Sequence, residues 1–237
     1  MFRNIIDYLY VMFEDRTSDI PKDAEYILIN NKNKNINDHW MCFLPESILR
    51  FGYIKRKVIS SRNLEICVIP KTAIQPNPLL TKEFLEKVTE EAINQYSKKQ
   101  KEVDVNILAV SFGNAPAYRF ASVFPVGRFV SVVPGSFLPE CIWESIATRR
   151  MAENSGYTLE DYRNALDSFS PLRNLDSLKV KSLEIYLGCY DKMIPYQRGK
   201  ELVEEMERKK LNPKVIIYPF SGHCEAILRF AKNFGEK

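Results

Sequence analysis

The chain has 237 residues, 45% of them hydrophobic and 27% charged, and its formal net charge is +4. At roughly 150 residues per domain that is one large domain or two small ones, and the composition is that of a globule able to bury its own core without metals or disulfides. It excludes a disordered or fibrous chain, and so small a charge excess, dispersed along the sequence, argues against a nucleic-acid partner.

Residues 5–13 (IIDYLYVMF) are apolar but are interrupted by Asp7 and ended by Glu14 and Asp15. No small-residue cleavage site follows, so the segment reads as a first helix or strand packed on the body, not as a secretion signal or a bilayer span. No other stretch approaches the 18 or so apolar residues of a membrane helix, and a cytoplasmic protein is expected. Short β-rich runs then alternate with helical stretches. EYILIN (Glu25–Asn30) predicts a strand, NKNKNIND (Asn31–Asp38) a turn, WMCFL (Trp40–Leu44) a buried strand, residues 47–57 a helix, and LEICVI (Leu64–Ile69) a strand ended by Pro70. Thr81–Lys99 is predicted helical, capped by Thr81, with Phe84, Leu85, Val88, Ala92 and Ile93 near one face. VNILAV (Val105–Val110) is continuously apolar, as a central parallel strand covered on both faces should be. A helix over Asn114–Val123 tolerates Pro116 in its first turn, and FVSVV (Phe129–Val133) is the next strand.

Residues 136–176 break the rhythm with two amphipathic helices, about 139–152 and 158–168, the second opened by a capping-box-like TLED at Thr158. Alternation resumes with strand LEIYLG (Leu183–Gly188), helix Tyr196–Lys209, strand VIIY (Val215–Tyr218) and a last helix from about Cys224 to Asn233. Strand–helix alternation implies right-handed βαβ units and a mostly parallel sheet with helices on both faces: an α/β fold. The whole chain, residues 1–237, reads as one domain in which 136–176 form a small helical cap over the C-terminal edge of the sheet.

The five cysteines (Cys42, Cys67, Cys141, Cys189, Cys224) are odd in number and lack CxxC spacing, so they read as reduced, mostly packed thiols. Two histidines without clustered cysteines give no structural zinc pattern.

Three segments carry chemistry. AVSFG (Ala109–Gly113) lies between a strand and a helix, where a sharp turn flanked by small residues would lift the Ser111 hydroxyl above the sheet. Taken alone it also suits a serine capping a helix. GCYDKMIP (Gly188–Pro195) puts Asp191 just after a late strand, where it can orient an imidazole or simply make an Asx turn. SGH (Ser221–His223) puts His223 on a glycine-preceded loop after the last strand, whereas His39 starts a strand and belongs at the opposite edge of the sheet. All three fall where open α/β sheets place their ligands, in the order Ser, Asp, His.

With these motifs the chain resembles the α/β-hydrolase superfamily from about residue 24 to 236. The resemblance implies an α/β-hydrolase fold with Ser111 as nucleophile, His223 as general base and acid, and Asp191 as its orienting carboxylate, acting through an acyl-enzyme. Ala109 stands where the family motif has its first glycine. The oxyanion donors implied are the amide of Phe112 and one from the loop after WMCFL, at Glu46 or Ser47. Glu46 stands where relatives carry glycine, and a competing alignment places this donor at Asn30 or Asn31. An acid after the preceding strand, Glu140, is the other candidate to Asp191. The implied activity is hydrolysis of a carboxylic ester or thioester with no metal and no organic cofactor. The single cap and modest size suggest a small or medium acyl group, and a hydrolase-like binding or accessory protein and an acyltransferase are the alternatives. Arg149, Arg150 and the run Arg208–Lys210 read as solvated helix faces rather than an anion site.

Overall fold

The structure, a computed structural model, describes residues 27–31, 39–49, 63–99 and 105–234. The turn after EYILIN, most of the helix expected over 47–57 and the apolar segment 5–13 lie outside the described residues.

Seven strands form one sheet: β1 (Ile27–Asn31), β2 (His39–Pro45), β3 (Asn63–Ile69), β4 (Val105–Val110), β5 (Val126–Val132), β6 (Val180–Gly188) and β7 (Lys214–Tyr218). Their order is β1-β3-β2-β4-β5-β6-β7. Six strands run parallel, and β1 pairs antiparallel with β3. The strand runs are continuously apolar because both faces are covered, and the two-residue period divides them between two cores. Met41, Phe43, Ile107, Ala109, Phe129 and Ile185 face one core. Trp40, Cys42, Leu44, Leu108, Val110 and Val130 face the other.

The first core is closed by α2 (Pro78–Lys99), α3 (Asn114–Ala121) and α7 (Tyr196–Arg208), through residues such as Val88, Phe120 and Met206. The second is closed by α8 (His223–Phe234), through Ile227, Phe230 and Phe234. A one-turn helix α1 (Glu46–Leu49) follows β2 directly. The helix expected from Thr81 starts earlier, at Pro78. Asn77 Oδ1 accepts the Leu79 N–H at 3.0 Å, so Asn77 supplies the capping bond. Thr81 is buried inside the first turn, and its Oγ1 accepts the Gln75 N–H at 2.8 Å.

Between β5 and β6 lie α4 (Leu138–Glu144), α5 (Arg149–Glu153) and α6 (Leu159–Leu166), followed by two 3₁₀ turns, Asp167–Phe169 and Pro171–Ser177. The capping box at Thr158 and Asp161 forms as the sequence implies. The helix expected over 139–152 is broken in two. Ser145 is extended (φ −63°, ψ 134°), its Oγ accepts the Ala147 N–H, and Thr148 Oγ1 donates to the Ile142 carbonyl at 2.6 Å. Short hydroxyl side chains offer the backbone an alternative to the helical ladder, and here they take it. This insertion packs on α2 and α3 through a third apolar cluster that includes Leu138, Ile142, Tyr162 and Phe169 with Leu85 and Ala115.

Phe129 lies at the centre of the sheet and is 0% exposed, whereas Leu80 on α2 is 47% exposed. Phe129→Ala is expected to lower the unfolding free energy by about 3–5 kcal/mol and Leu80→Ala by less than about 0.5 kcal/mol. Urea unfolding followed by circular dichroism checks both.

Candidate active site

Parallel strands deliver their C-terminal ends to one edge of the sheet, and three of these ends are followed by Ser111, Asp191 and His223. At the end of β4 the chain turns through a 3₁₀ turn, Ser111–Gly113, into α3. Ser111 takes φ 55°, a left-handed conformation that L-residues adopt at a cost. A Cβ at Gly113 would stand 2.2 Å from the Phe43 carbonyl oxygen, so only glycine lets the turn press this closely on β2. Ala109, in contrast, is packed in the first core, where its methyl has a place.

At the end of β6, Asp191 is 6% exposed. It serves both roles that its position suggests: Oδ1 accepts the Met193 and Ile194 N–H groups, each at 2.9 Å, and Oδ2 lies 2.7 Å from His223 Nδ1. At the end of β7, His223 opens α8 and is 3% exposed. The two loops are tied together, because the Tyr190 N–H donates to the Ser221 carbonyl at 2.9 Å. A Cβ at Gly188 would stand 2.7 Å from that same carbonyl, so this glycine permits the approach. His223 Nε2 lies 2.8 Å from Ser111 Oγ. A carboxylate only accepts, so Nδ1 carries the ring proton and Nε2 is left to accept the Ser111 hydroxyl. Ser111, His223 and Asp191 thus form one hydrogen-bonded chain, buried at Asp191 and His223 and half-buried at Ser111. Glu140 is elsewhere: it lies on α4 and pairs with Arg163 at 2.9 Å.

Two cavities meet at Ser111. The larger, about 90 Å³, is mainly apolar and is walled by Ile74, Phe112, Ala115, Leu138, Ile142 and Ile194 among others. The broken helix adds Ser145, Ala147 and Thr148 to its rim. Cys141 also lines it, but burial pushes its thiol pKa far up, which leaves it an apolar group of low reactivity. The smaller cavity, about 30 Å³, is lined by Pro45, Ser47 and Ile48 together with Ser111 and His223. The loop after β2 therefore shares a cavity with the serine. Asn30 and Asn31 do not. Asn31 pairs with Leu64 and Leu64 with Trp40, at the edge of the sheet where β2 and β3 begin. His39 starts β2 at that same opposite edge.

The cavity residues Ile74, Ala115, Met193 and Ile194 were not legible as lining positions. Met193 and Ile194 occupy the spacer of the GCYDKMIP motif, and only the Asx turn at Asp191 aims them at the serine. Arg149 pairs with Glu153, Arg208 with Glu205 and Lys209 with Asp176, so none of these is directed at the site. All five cysteines are free thiols. Among the described residues no cluster of His, Cys, Asp and Glu is arranged to hold a metal, and no helix is long and apolar enough to cross a membrane.

No protein-family model matches the sequence, and no functionally curated protein aligns with it significantly. Solved structures do match. The capsule O-acetyltransferase of Neisseria meningitidis serogroup A superposes with a TM-score of 0.61 at 19% identity, covering 90% of each chain. A lipase-esterase related protein from Clostridium acetobutylicum gives 0.58 at 15% identity, covering 90% of this chain and 98% of that one. An α/β-hydrolase enzyme from a Medee basin deep-sea metagenome library gives 0.56 at 12% identity, over 89% and 91% of the two chains. A puromycin-hydrolysing peptidase of Mycobacterium tuberculosis is matched over only 34% of its length, so this chain spans about a third of that protein.

The close contact at Gly113 has a measurable consequence. Gly113→Ala forces the elbow away from Phe43 and is expected to cost about 1–3 kcal/mol of stability, as overpacking of a filled site does. Thermal unfolding of the variant beside the parent checks this.

Proposed function

Because this chain adopts the α/β-hydrolase fold, we propose that it is a serine hydrolase that cleaves a carboxylic ester or thioester through an acyl-enzyme on Ser111. The observation that carries the reading is the relay from Ser111 through His223 to Asp191, with its 2.8 and 2.7 Å contacts, whose serine lines an apolar cavity. Ser111 Oγ attacks the acyl carbon while His223 Nε2 takes its proton, and the Asp191 carboxylate stabilises the imidazolium. The Phe112 amide and an amide of the Glu46–Ser47 turn receive the tetrahedral oxyanion. Collapse expels the alcohol or thiol, which leaves with the proton held by His223. Water, giving a proton to His223, then attacks the acyl carbon, and collapse breaks the bond to Ser111 Oγ, returns the proton from His223 to that oxygen and releases the acid. No metal and no organic cofactor takes part in these steps.

The walls of the larger cavity support a small acyl group. At about 90 Å³ it offers room for a tail of a few carbons, since a single water needs roughly 10–15 Å³ of such space. The reading that competes is a hydrolase-like binding protein. It is favoured by the identity of Glu46, which stands where relatives carry glycine, because a carboxylate aimed at the developing oxyanion repels it. Acyl transfer uses the same first half-reaction, with an alcohol or amine in place of water, and product analysis with an added acceptor separates it from hydrolysis.

A labelled fluorophosphonate is expected to modify Ser111 promptly at neutral pH and to leave Ser111→Ala unmodified. No labelling of the folded parent decides for the binding reading. His223→Ala is expected to lower ester turnover by at least about a thousandfold without unfolding the protein. Near-normal turnover in that variant removes His223 from the mechanism. Among p-nitrophenyl esters, butyrate is expected to be cleaved faster than palmitate. Ala115→Phe, which fills the cavity, is expected to shift the preference to acetate by about tenfold or more in kcat/KM.

A further inference from the structure

The backbone of the reacting serine is held in an unfavourable conformation, and a buried polar chain ends on it. Ser111 has φ 55°, and Val133, directly after β5, has φ 46°. Left-handed backbone is unusual for any L-residue and more so for a β-branched one, so both turns need neighbours that over-determine them. One side chain serves both. Asn114 Nδ2 lies 2.9 Å from the Ser111 carbonyl oxygen and 3.1 Å from the Val132 carbonyl oxygen. The Asn114 backbone N–H points at the Ser111 carbonyl as well.

The chain continues away from the site in one direction only. Ser131 Oγ donates to Asn114 Oδ1 at 2.6 Å, and the Tyr118 hydroxyl donates to Ser131 Oγ at 3.3 Å. Burial pushes the Tyr118 phenol pKa far up, so it stays an O–H donor. Two carbonyls facing Nδ2 and a hydroxyl facing Oδ1 leave the amide a single orientation, since a flipped amide would set its oxygen against both carbonyls. Asn114, which also lines the larger cavity, is 2% exposed, and Ser131 and Tyr118 are 0% exposed, so a partner lost from this chain leaves a buried polar group unsatisfied.

We propose that Asn114 is a positioning residue for catalysis: its carboxamide locks the Ser111 turn to the end of β5 and so keeps Ser111 Oγ within reach of His223. This rests on the reading of Ser111 as the nucleophile. The packing of α3 on the sheet does not need the lock, because Ala117, Tyr118, Phe120 and Ala121 already bury that helix in the first core. What the carboxamide adds is the rotation of the Ser111 peptide, and a 2.8 Å contact to an imidazole fixed from behind by Asp191 tolerates little rotation.

The test takes Asn114→Ala, Asn114→Asp and Ser131→Ala. Asn114→Asp keeps the size but turns a donor into an acceptor facing two carbonyls. For p-nitrophenyl butyrate, both Asn114 variants are expected to lose about 30-fold or more in kcat, about 2 kcal/mol at 1.36 kcal/mol per decade, with KM within about threefold of the parent. Ser131→Ala, the milder change, is expected to lose about fivefold in kcat with the same unchanged KM. Crystal structures of the folded variants are expected to show Ser111 leaving positive φ and Oγ moving out of hydrogen-bond distance of His223. A folded Asn114→Ala with kcat within about twofold of the parent, or with the Ser111 turn unmoved, overturns the proposal. If Asn114→Ala does not fold, the same readouts on Ser131→Ala decide. A parent protein that fluorophosphonate does not label sinks the nucleophile reading instead, and the position of Ser111 in the variant crystals still decides the lock.

Discussion

Everything at the edge that carries Ser111 depends on how closely the turn after β4 approaches β2. Gly113 lies against the Phe43 carbonyl, where a methyl group would collide, and Ser111 accepts a positive φ so that its hydroxyl stands clear of the sheet. A wider turn would carry the hydroxyl away from both the imidazole and the end of β2. Compression and strain are therefore parts of one device: the backbone is bent past its preferred range to aim one oxygen atom.

The parallel sheet supplies the other partners without further distortion. Because β4, β6 and β7 run the same way, their C-terminal ends share an edge, and residues 80 and 112 positions away from Ser111 arrive within one hydrogen-bonded chain. Asp191 uses one carboxylate oxygen to shape its own loop and the other to hold the ring, so the loop that positions the acid is built by the acid. Burial of Asp191 and His223 removes competing water and strengthens each contact. The insertion between β5 and β6 adds an apolar wall, and the break at Ser145 turns its hydroxyl-bearing segment toward the cavity. The Ile146 N–H donates to the Lys192 carbonyl at 3.0 Å, which ties that wall to the loop carrying Asp191.

Local chemistry was readable wherever one physical rule dominated. Strands buried on both faces have to be apolar at every position, so VNILAV and WMCFL declared themselves, and β5 and β6 were found but were longer at their N-terminal ends than FVSVV and LEIYLG suggested. Rules that compete were harder to read. Thr81 has the chemistry of a cap, yet Asn77 and Pro78 start the helix one turn earlier and Thr81 bonds the incoming loop instead. Residues 139–152 have helical periodicity, yet Ser145 and Thr148 spend their hydroxyls on local backbone and divide the helix. The choice between Asn30–Asn31 and Glu46–Ser47 needed strand direction, because an antiparallel β1 sends its end to the far side of the sheet.

The amino-acid order by itself determined the α/β alternation and the sequence of Ser111, Asp191 and His223 at strand ends, since burial periodicity and turn chemistry act over a few neighbouring residues. Tertiary structure alone decided which loop reaches the serine, which side chains wall the cavity and what Asn114 holds. Those depend on strand order and direction and on contacts between distant segments, and no local pattern encodes a partner that is dozens of residues away.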